Sequence, residues 1–104
     1  MNKVVRDGLV AVLYSPGFGA GWSTWADESI RKDIVFDPAM VELVEQEKWP
    51  ELEAFVALKY PGLYTGGLRD LRIRWIPEGQ HFKITDYDGN ESIELRDGVD
   101  WHVA

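Results

Sequence analysis

Three alternating segments near the C-terminus constrain the fold of this 104-residue chain more than any other feature. Apolar and polar residues alternate in each segment, which is typical of β-strands with one buried face. The segments are separated by PEGQ at 77–80 and DG at 88–89, both of which favour hairpin turns. We therefore predict a three-stranded antiparallel meander. Its apolar positions are Leu71, Ile73 and Trp75, then Phe82 and Ile84, then Ile93 and Leu95.

The two turns also predict how these strands pair, because turn length sets the register of a hairpin. The four-residue turn places Trp75 opposite Phe82. The two-residue turn places Ile84 opposite Ile93. In both pairings apolar side chains meet on one face, which we expect to be buried.

An almost entirely apolar run, LVAVLY at 9–14, predicts a central strand that is covered on both sides. Before it, Val4 and Val5 favour a strand and Asp7-Gly8 favours a turn or bulge. We expect the chain to open with a short hairpin or a kinked strand. After the run, Pro16 and the glycines that follow disfavour regular structure.

The middle of the chain contains the signals of a helix start. Asp37 is a good N-cap, and Pro38 is a good first helical residue. The apolar residues that follow share one helical face, which we expect to point inward. They are Met40, Val41 and Val44.

A second helix is predicted from Pro50 to about Lys59. Its inward positions are Leu52, Phe55 and Val56. Before the first helix, residues 23–32 favour only a short helix capped by a Ser or Thr at 23–24, and residues 34–36 favour a brief strand. The prediction is an α+β fold of one domain over 1–104, in which a mainly antiparallel sheet has two helices packed on one face.

The segment after the N-terminal strand combines glycines with large aromatic side chains. Such a loop exposes backbone N–H groups that can hold an anion, and its rings can stack on a flat group. Arginines of the meander can supply further anion contacts. We therefore predict a site for a small anionic, nucleotide-like ligand. Its residues are Tyr14, Ser15, Gly17, Phe18, Gly19, Gly21, Trp22, Trp25, Arg72 and Arg74.

Other interpretations of these residues stay open. The loop could be a tight turn whose aromatics belong to the core. A second glycine-rich segment at 64–67 could complete a pocket or merely reverse the chain. The basic outer face of the meander could hold a phosphate or carboxylate, or it could form a salt-bridge ladder in which Glu94 faces Lys83. This face gathers Arg72, Arg74, His81 and Lys83, with Arg74 opposite Lys83 and Arg69 nearby.

Several chemistries find no support in the sequence. The chain has no cysteine, which excludes disulfides and thiolate metal sites. Trp22 stands where a dinucleotide-binding turn needs its third glycine, and there is no P-loop motif. His81 and His102 belong to no visible triad, and DYDGNE at 86–91 fits a hairpin better than a calcium loop. We expect no cofactor and no metal, and we favour a binding protein over an enzyme.

Charge and composition bound the class of partner. The formal net charge of −7 argues against a general affinity for nucleic acid. No window approaches the roughly 20 apolar residues of a membrane span, and the N-terminus lacks a signal-peptide layout, so we expect a cytoplasmic protein. Five tryptophans are more than a core of this size easily encloses. Some aromatics could therefore contact a partner or form a homo-oligomer.

Several motifs together resemble small uncharacterised proteins of bacteriophage and prophage genomes. They are SPGFGAGWSTW, FDP before a helix, KYPGLYTGG, and RWIPEG followed by DYDGNESIEL, and they cover most of the chain. The resemblance brings no activity and no catalytic residue. Phage accessory proteins of this size often act as stoichiometric binders, which by analogy favours sequestration of a nucleotide-like molecule. The alternative is a module that blocks a host protein through the same aromatics or the acidic helix face.

Overall fold

The computed structural model describes residues 3–16, 22–26, 28–63, 67–87, 90–95 and 102–103. The strands are β1 (Val5–Arg6), β2 (Leu9–Tyr14), β3 (Arg72–Pro77), β4 (His81–Tyr87), β5 (Asn90–Leu95) and β6 (His102–Val103). The helices are α1 (Glu28–Phe36), α2 (Pro38–Glu45) and α3 (Trp49–Lys59), with short 3₁₀ turns at Ser23–Trp25 and Leu68–Asp70.

The first sheet is antiparallel and has the strand order β1–β2–β3. β2 lies in its centre, and residues 10–13 are fully buried, as the apolar run predicts. Asp7 and Gly8 join β1 to β2 with φ angles of 53° and 77°. Positive φ at both central residues is typical of a type I′ hairpin turn. The predicted N-terminal hairpin is therefore confirmed.

The predicted partner of β3 is wrong. β3 pairs with β2, in a register that sets Trp75 opposite Ala11. Phe82 instead lies in the second sheet, opposite Leu95 on one side. The expected pairing of Trp75 with Phe82 does not form, so the meander is confirmed only in its last two strands.

The turn at 77–80 explains this difference. The Gln80 N–H donates to the Pro77 carbonyl oxygen at 3.0 Å, and Gly79 at the third position has a φ of 86°. These are the marks of a type II turn. Such a turn splays its flanking strands, because its twist does not match that of a hairpin. It therefore directs the chain from the first sheet into the second.

The second sheet is antiparallel and has the order β5–β4–β6. Ile84 lies opposite Ile93, which confirms the predicted register of this hairpin. The connection at 88–89 lies outside the described residues. Phe82 and Ile93 are buried and Ile84 is half-buried, but Leu95 is 43% exposed, so its predicted inward position is wrong.

α2 begins as the sequence predicts. The Asp37 carboxylate accepts hydrogen bonds from the Ala39 and Met40 N–H groups at 3.0 and 3.3 Å, and Pro38 is the first helical residue. This is the N-cap geometry that satisfies amides without a partner in the first turn. The buried residues of the helix are Met40, Val41 and Val44.

α3 starts at Trp49, one residue before the predicted start at Pro50, and it ends at Lys59 as expected. Leu52 and Val56 are buried, whereas Phe55 is half-buried. The inward face of this helix is therefore confirmed at two positions and partly at the third.

Residues 34–36 form the last turn of α1, so the predicted brief strand is wrong. Consecutive apolar residues fit a strand pattern, but a helix that is covered on two sides also buries neighbouring residues. All three are buried, and the Phe36 ring meets Phe82 edge-on with 6.1 Å between ring centroids. Pro38 disfavours a helical conformation at Asp37 and so separates α1 from α2.

The helices and sheets confirm the predicted α+β class. α1 contacts β2, α2 contacts β2 and β3, and α3 packs against α2 and the second 3₁₀ turn. Packing of both predicted helices on one sheet face stays a prediction, as does the single domain over 1–104. Among the helices that the structure describes, none is long and apolar enough to cross a membrane.

Candidate functional site

A buried carboxylate holds together the two ends of the N-terminal glycine loop. Glu91 lies in β5 and is 1% exposed. One carboxylate oxygen accepts the Ser15 N–H at 2.9 Å. The other accepts the N–H groups of Trp22 and Thr24, each at 3.0 Å, and the Thr24 hydroxyl at 2.8 Å. Four donors from both sides of the loop thus converge on one anion.

This arrangement changes the interpretation of the loop. The sequence predicts that amides in and around the loop hold the anion of a ligand. The amides of Ser15, Trp22 and Thr24 are instead satisfied by Glu91, which belongs to the chain itself. The Thr24 hydroxyl also donates to Glu91. The short 3₁₀ turn at Ser23–Trp25 has no side-chain cap, so neither Ser23 nor Thr24 caps it as the sequence suggested. Thr24 and Glu91 are structural partners that the predicted site did not contain.

Ser15 also connects the two glycine-rich segments. Its hydroxyl donates to the Gly67 carbonyl oxygen at 2.8 Å, and its own carbonyl oxygen accepts the Glu91 N–H at 3.0 Å. The end of the second segment therefore lies against the start of the first. The remaining residues, 17–21 and 64–66, lie outside the described part of the chain, and the predicted roles of Gly17, Phe18, Gly19 and Gly21 stay predictions.

The aromatic residues of the predicted site occupy different environments. Trp22 is fully buried in the core, and its indole N–H has no hydrogen-bond partner among the described residues. Tyr14 is half-buried at the end of β2. The backbone of Trp25 lies in the first 3₁₀ turn. Trp22 thus fits the alternative in which a loop aromatic belongs to the core.

The two predicted arginines have separate roles. A terminal nitrogen of Arg74 donates to the Ile93 carbonyl oxygen at 3.1 Å, which joins the first sheet to the edge of the second. Arg72 lies opposite Tyr14, and its guanidinium contacts only the neighbouring Leu71 carbonyl oxygen, at 3.0 Å, within the described residues. Arg72 is exposed and forms no ion pair in the part of the chain described.

The predicted basic face does not form one strand ladder. Because β3 and β4 belong to different sheets, Arg74 does not lie opposite Lys83. Lys83 lies opposite Glu94 in the confirmed register of β4 and β5. Of the basic residues predicted for this face, Arg69 and Arg72 line one groove.

Arg72 borders an open groove of about 490 Å³ between the end of α2, the start of α3 and the entry to β3. Its lining is mixed, with apolar side chains, one half-buried tryptophan, two arginines and a glutamate. The lining residues are Val44, Glu47, Trp49, Arg69, Leu71, Arg72 and Ile73. We call this the Trp49 groove. A concave surface on which a few polar groups converge is typical of small-molecule sites.

The two arginines of the Trp49 groove differ in whether they form an ion pair. Arg69 forms an ion pair with Glu53 at 2.7 Å, and both side chains are largely exposed. Arg72 has no carboxylate partner among the described residues. Sequence analysis placed Arg69 near Arg72 but missed Trp49, because Trp49 comes from a different element and shares no spacing signal with Arg72.

A second groove of about 480 Å³ lies between the β1 end of the chain and α2. Its arginine, Arg6, binds both carboxylate oxygens of Glu45 at 2.7 and 2.8 Å and lies over the Trp75 ring. The hydrogen bonds from Arg6 lower the pKa of the Glu45 carboxyl below its usual value. Both the cation and the aromatic ring are therefore engaged within the chain, unlike those of the Trp49 groove.

Asp37 forms a buried polar cluster with Lys59 and Tyr60, both at 2.7 Å. Burial alone would raise the pKa of Asp37, but the hydrogen bonds from Lys59, Tyr60 and the Met40 N–H outweigh burial, and the net pKa lies below the usual value. Burial and the hydrogen bond to Asp37 raise the pKa of Tyr60. Because these groups satisfy one another, the cluster links α2 to the end of α3 and is structural.

In the residues that the structure describes, no group of three or more His, Cys, Asp or Glu side chains could hold a metal ion. Comparisons of the chain with protein-family models, curated proteins and solved structures gave no match. The geometry of the chain itself is therefore the basis for any functional proposal.

Proposed function

We propose that the chain is a non-enzymatic binding protein for a small anionic, nucleotide-like ligand, and that the Trp49 groove is its site. The observation that carries the proposal is that an Arg72 guanidinium with no carboxylate partner among the described residues lines the same groove as the half-buried Trp49. The proposal keeps Arg72 from the site predicted by sequence. Because the amides of Ser15, Trp22 and Thr24 at the ends of the loop bind Glu91, it places the ligand in the groove.

The chemistry of the groove suits such a ligand. A guanidinium presents paired donors that match the oxygens of a phosphate or carboxylate. An indole ring supplies a flat surface on which a heteroaromatic ring can stack. The groove volume of about 490 Å³ lies within the range of small-molecule sites. A sequestering role in the cytoplasm, as in phage accessory proteins, is part of this proposal.

The experiment is calorimetric titration of the protein with nucleoside monophosphates. We expect the wild type to bind. Arg72→Ala should weaken this binding about 10- to 100-fold, since a charged hydrogen bond contributes about 1.5–3 kcal/mol. Trp49→Leu should also weaken the binding. Lys32→Ala is the matched control, because it removes one exposed positive charge on α1 outside the groove lining. Equal effects of Arg72→Ala and Lys32→Ala would contradict the proposal.

A protein-interaction module is the second candidate. Leu58 on α3 is 87% exposed and Tyr87 at the end of β4 is 75% exposed, which makes them the most exposed large apolar side chains in the described part of the chain. Such a module would bind a host protein or a second copy of the chain. Capture of a defined partner by the wild type, lost in Leu58→Ser but retained in Arg72→Ala, would favour this candidate over the ligand-binding one.

A further inference from the structure

The end of α2 carries a non-glycine residue in a conformation that favours glycine. The Glu47 N–H donates to the Val44 carbonyl oxygen at 3.1 Å, and the Lys48 N–H donates to the Leu43 carbonyl oxygen at 3.0 Å. This pair of bonds is the Schellman motif, whose left-handed position is usually glycine. Here that position is Glu47, with a φ of 53°. A glutamate at this φ is therefore strained relative to glycine.

The Glu47 side chain borders the Trp49 groove and is exposed. It forms no hydrogen bond or ion pair with any other described residue, and Arg72 in the same groove likewise lacks an acidic partner. The two opposite charges thus share one groove without neutralising each other. A strained residue with an unused charge in a concave site is the kind of outlier from which a binding role can be inferred.

We propose that Glu47 selects ligands of the Trp49 groove that carry an N–H donor as well as an anion. This inference rests on the proposed function and names its ligand class: a flat ring with an amino group at one end and a single phosphate or carboxylate at the other. Arg72 binds the anion, Trp49 stacks on the ring, and the Glu47 carboxylate accepts the N–H. A ligand without a donor would displace water from the Glu47 carboxylate and would form no hydrogen bond in its place.

The test compares two pairs of probes by calorimetry. One pair is adenosine monophosphate and purine riboside monophosphate, which lacks the amino group. The other is 4-aminobenzoate and benzoate, which distinguishes a nucleotide from a simple aromatic acid. In at least one pair we expect the amino form to bind about 10-fold or more tightly than its partner, since an N–H bond to a charged acceptor contributes about 1.5–3 kcal/mol.

Two variants of Glu47 isolate its role. Glu47→Gly should remove the preference for the amino form, and it should also raise the melting temperature because the backbone strain is relieved. Glu47→Gln keeps one acceptor oxygen without the charge, so it should reduce the preference without abolishing it. Glu51→Gln, which removes an exposed charge on α3 outside the groove lining, should change neither property.

The outcomes separate this inference from the proposed function. Equal binding of both members of each pair by the wild type, with loss of binding in Arg72→Ala, would overturn the role of Glu47 and leave the anion site intact. A preference that survives undiminished in Glu47→Gly would likewise overturn it. Absence of binding for all four probes would count against both the inference and the proposed function.

Discussion

The buried Glu91 carboxylate should contribute more to the stability of this fold than any exposed ion pair. Its four hydrogen-bond donors come from residues on both sides of the glycine loop. Glu91→Ala would leave these donors without an acceptor, and each unsatisfied buried donor costs about 1–3 kcal/mol. Water will reach part of the opened site, so we expect a net loss of about 3–5 kcal/mol, which is less than four full penalties would give.

Glu91→Gln provides a finer test of the same reasoning. Glutamine keeps one oxygen, but its amide N–H₂ group must face at least one of the N–H donors that the carboxylate accepted. We therefore expect a loss of about 2–4 kcal/mol, close to that of alanine. Glu94→Gln is the matched control, since Glu94 lies exposed on the same strand, and its loss should be under about 1 kcal/mol.

The assay is urea denaturation followed by circular dichroism, with the free energy of unfolding extrapolated to water. A domain of this length has a total stability of about 5–15 kcal/mol, so Glu91→Ala should lower the midpoint substantially. Addition of acetate should recover part of the loss in Glu91→Ala by supplying a carboxylate to the vacated amides. Equal midpoints for Glu91→Gln and Glu94→Gln would refute the proposed contribution of the Glu91 hydrogen bonds to stability.

Three further predictions concern other parts of the fold. Asp37→Asn should lower the free energy of unfolding at neutral pH by about 2–3 kcal/mol. Because the folded pKa of Asp37 is lowered, this difference should be present above about pH 4 and should shrink as pH falls through the folded pKa. A difference that does not change with pH would contradict this prediction. Phe82→Ala should cost about 3–5 kcal/mol and Lys83→Ala under about 1 kcal/mol by thermal denaturation, whereas equal costs would mean that β4 has no buried face. Glu47→Gly should raise the free energy of unfolding by about 0.5–1 kcal/mol, and a decrease would show that the left-handed position is unstrained.

Local patterns determined the parts of the fold that sequence could predict. The apolar run of β2, the Asp7-Gly8 turn and the Asp37 cap each depend on neighbouring residues, and the structure contains all three. The partner of β3 depends on a choice between two apolar strands and on the twist of the turn at 77–80. The sequence PEGQ permits either a hairpin or a type II turn, so composition alone could not decide.

The position of Glu91 in β5 is the sequence signal that could have indicated its buried role. In β5, alternation places residue 91 on the same side as the buried Ile93, so a glutamate there is a charge at an inward position. Its partners Ser15 and Thr24 lie 76 and 67 residues earlier in the chain. No local spacing connects them, and the partners of the carboxylate become visible only when the two sheets pack together.

The Trp49 groove was predictable only through Arg72. Trp49 and Glu47 lie at the junction of two helices, where the sequence pattern indicates a connection and gives no direction for either side chain. Whether Trp49 and Glu47 line the same groove as Arg72 depends on how α2 packs against β3. Sites built from separate elements in this way are determined by tertiary packing rather than by motif.

The most direct test of the central claim is nuclear magnetic resonance of ¹⁵N-labelled protein titrated with adenosine monophosphate. The indole N–H signals of the tryptophans report on each ring separately. If the Trp49 groove is the binding site, the Trp49 indole and the Arg72 side-chain signals will shift with saturation, while the buried Trp22 indole stays in place. Saturable shifts at Trp22 and the glycine loop, with the Trp49 and Arg72 signals unchanged, would contradict the assignment of the site to this groove.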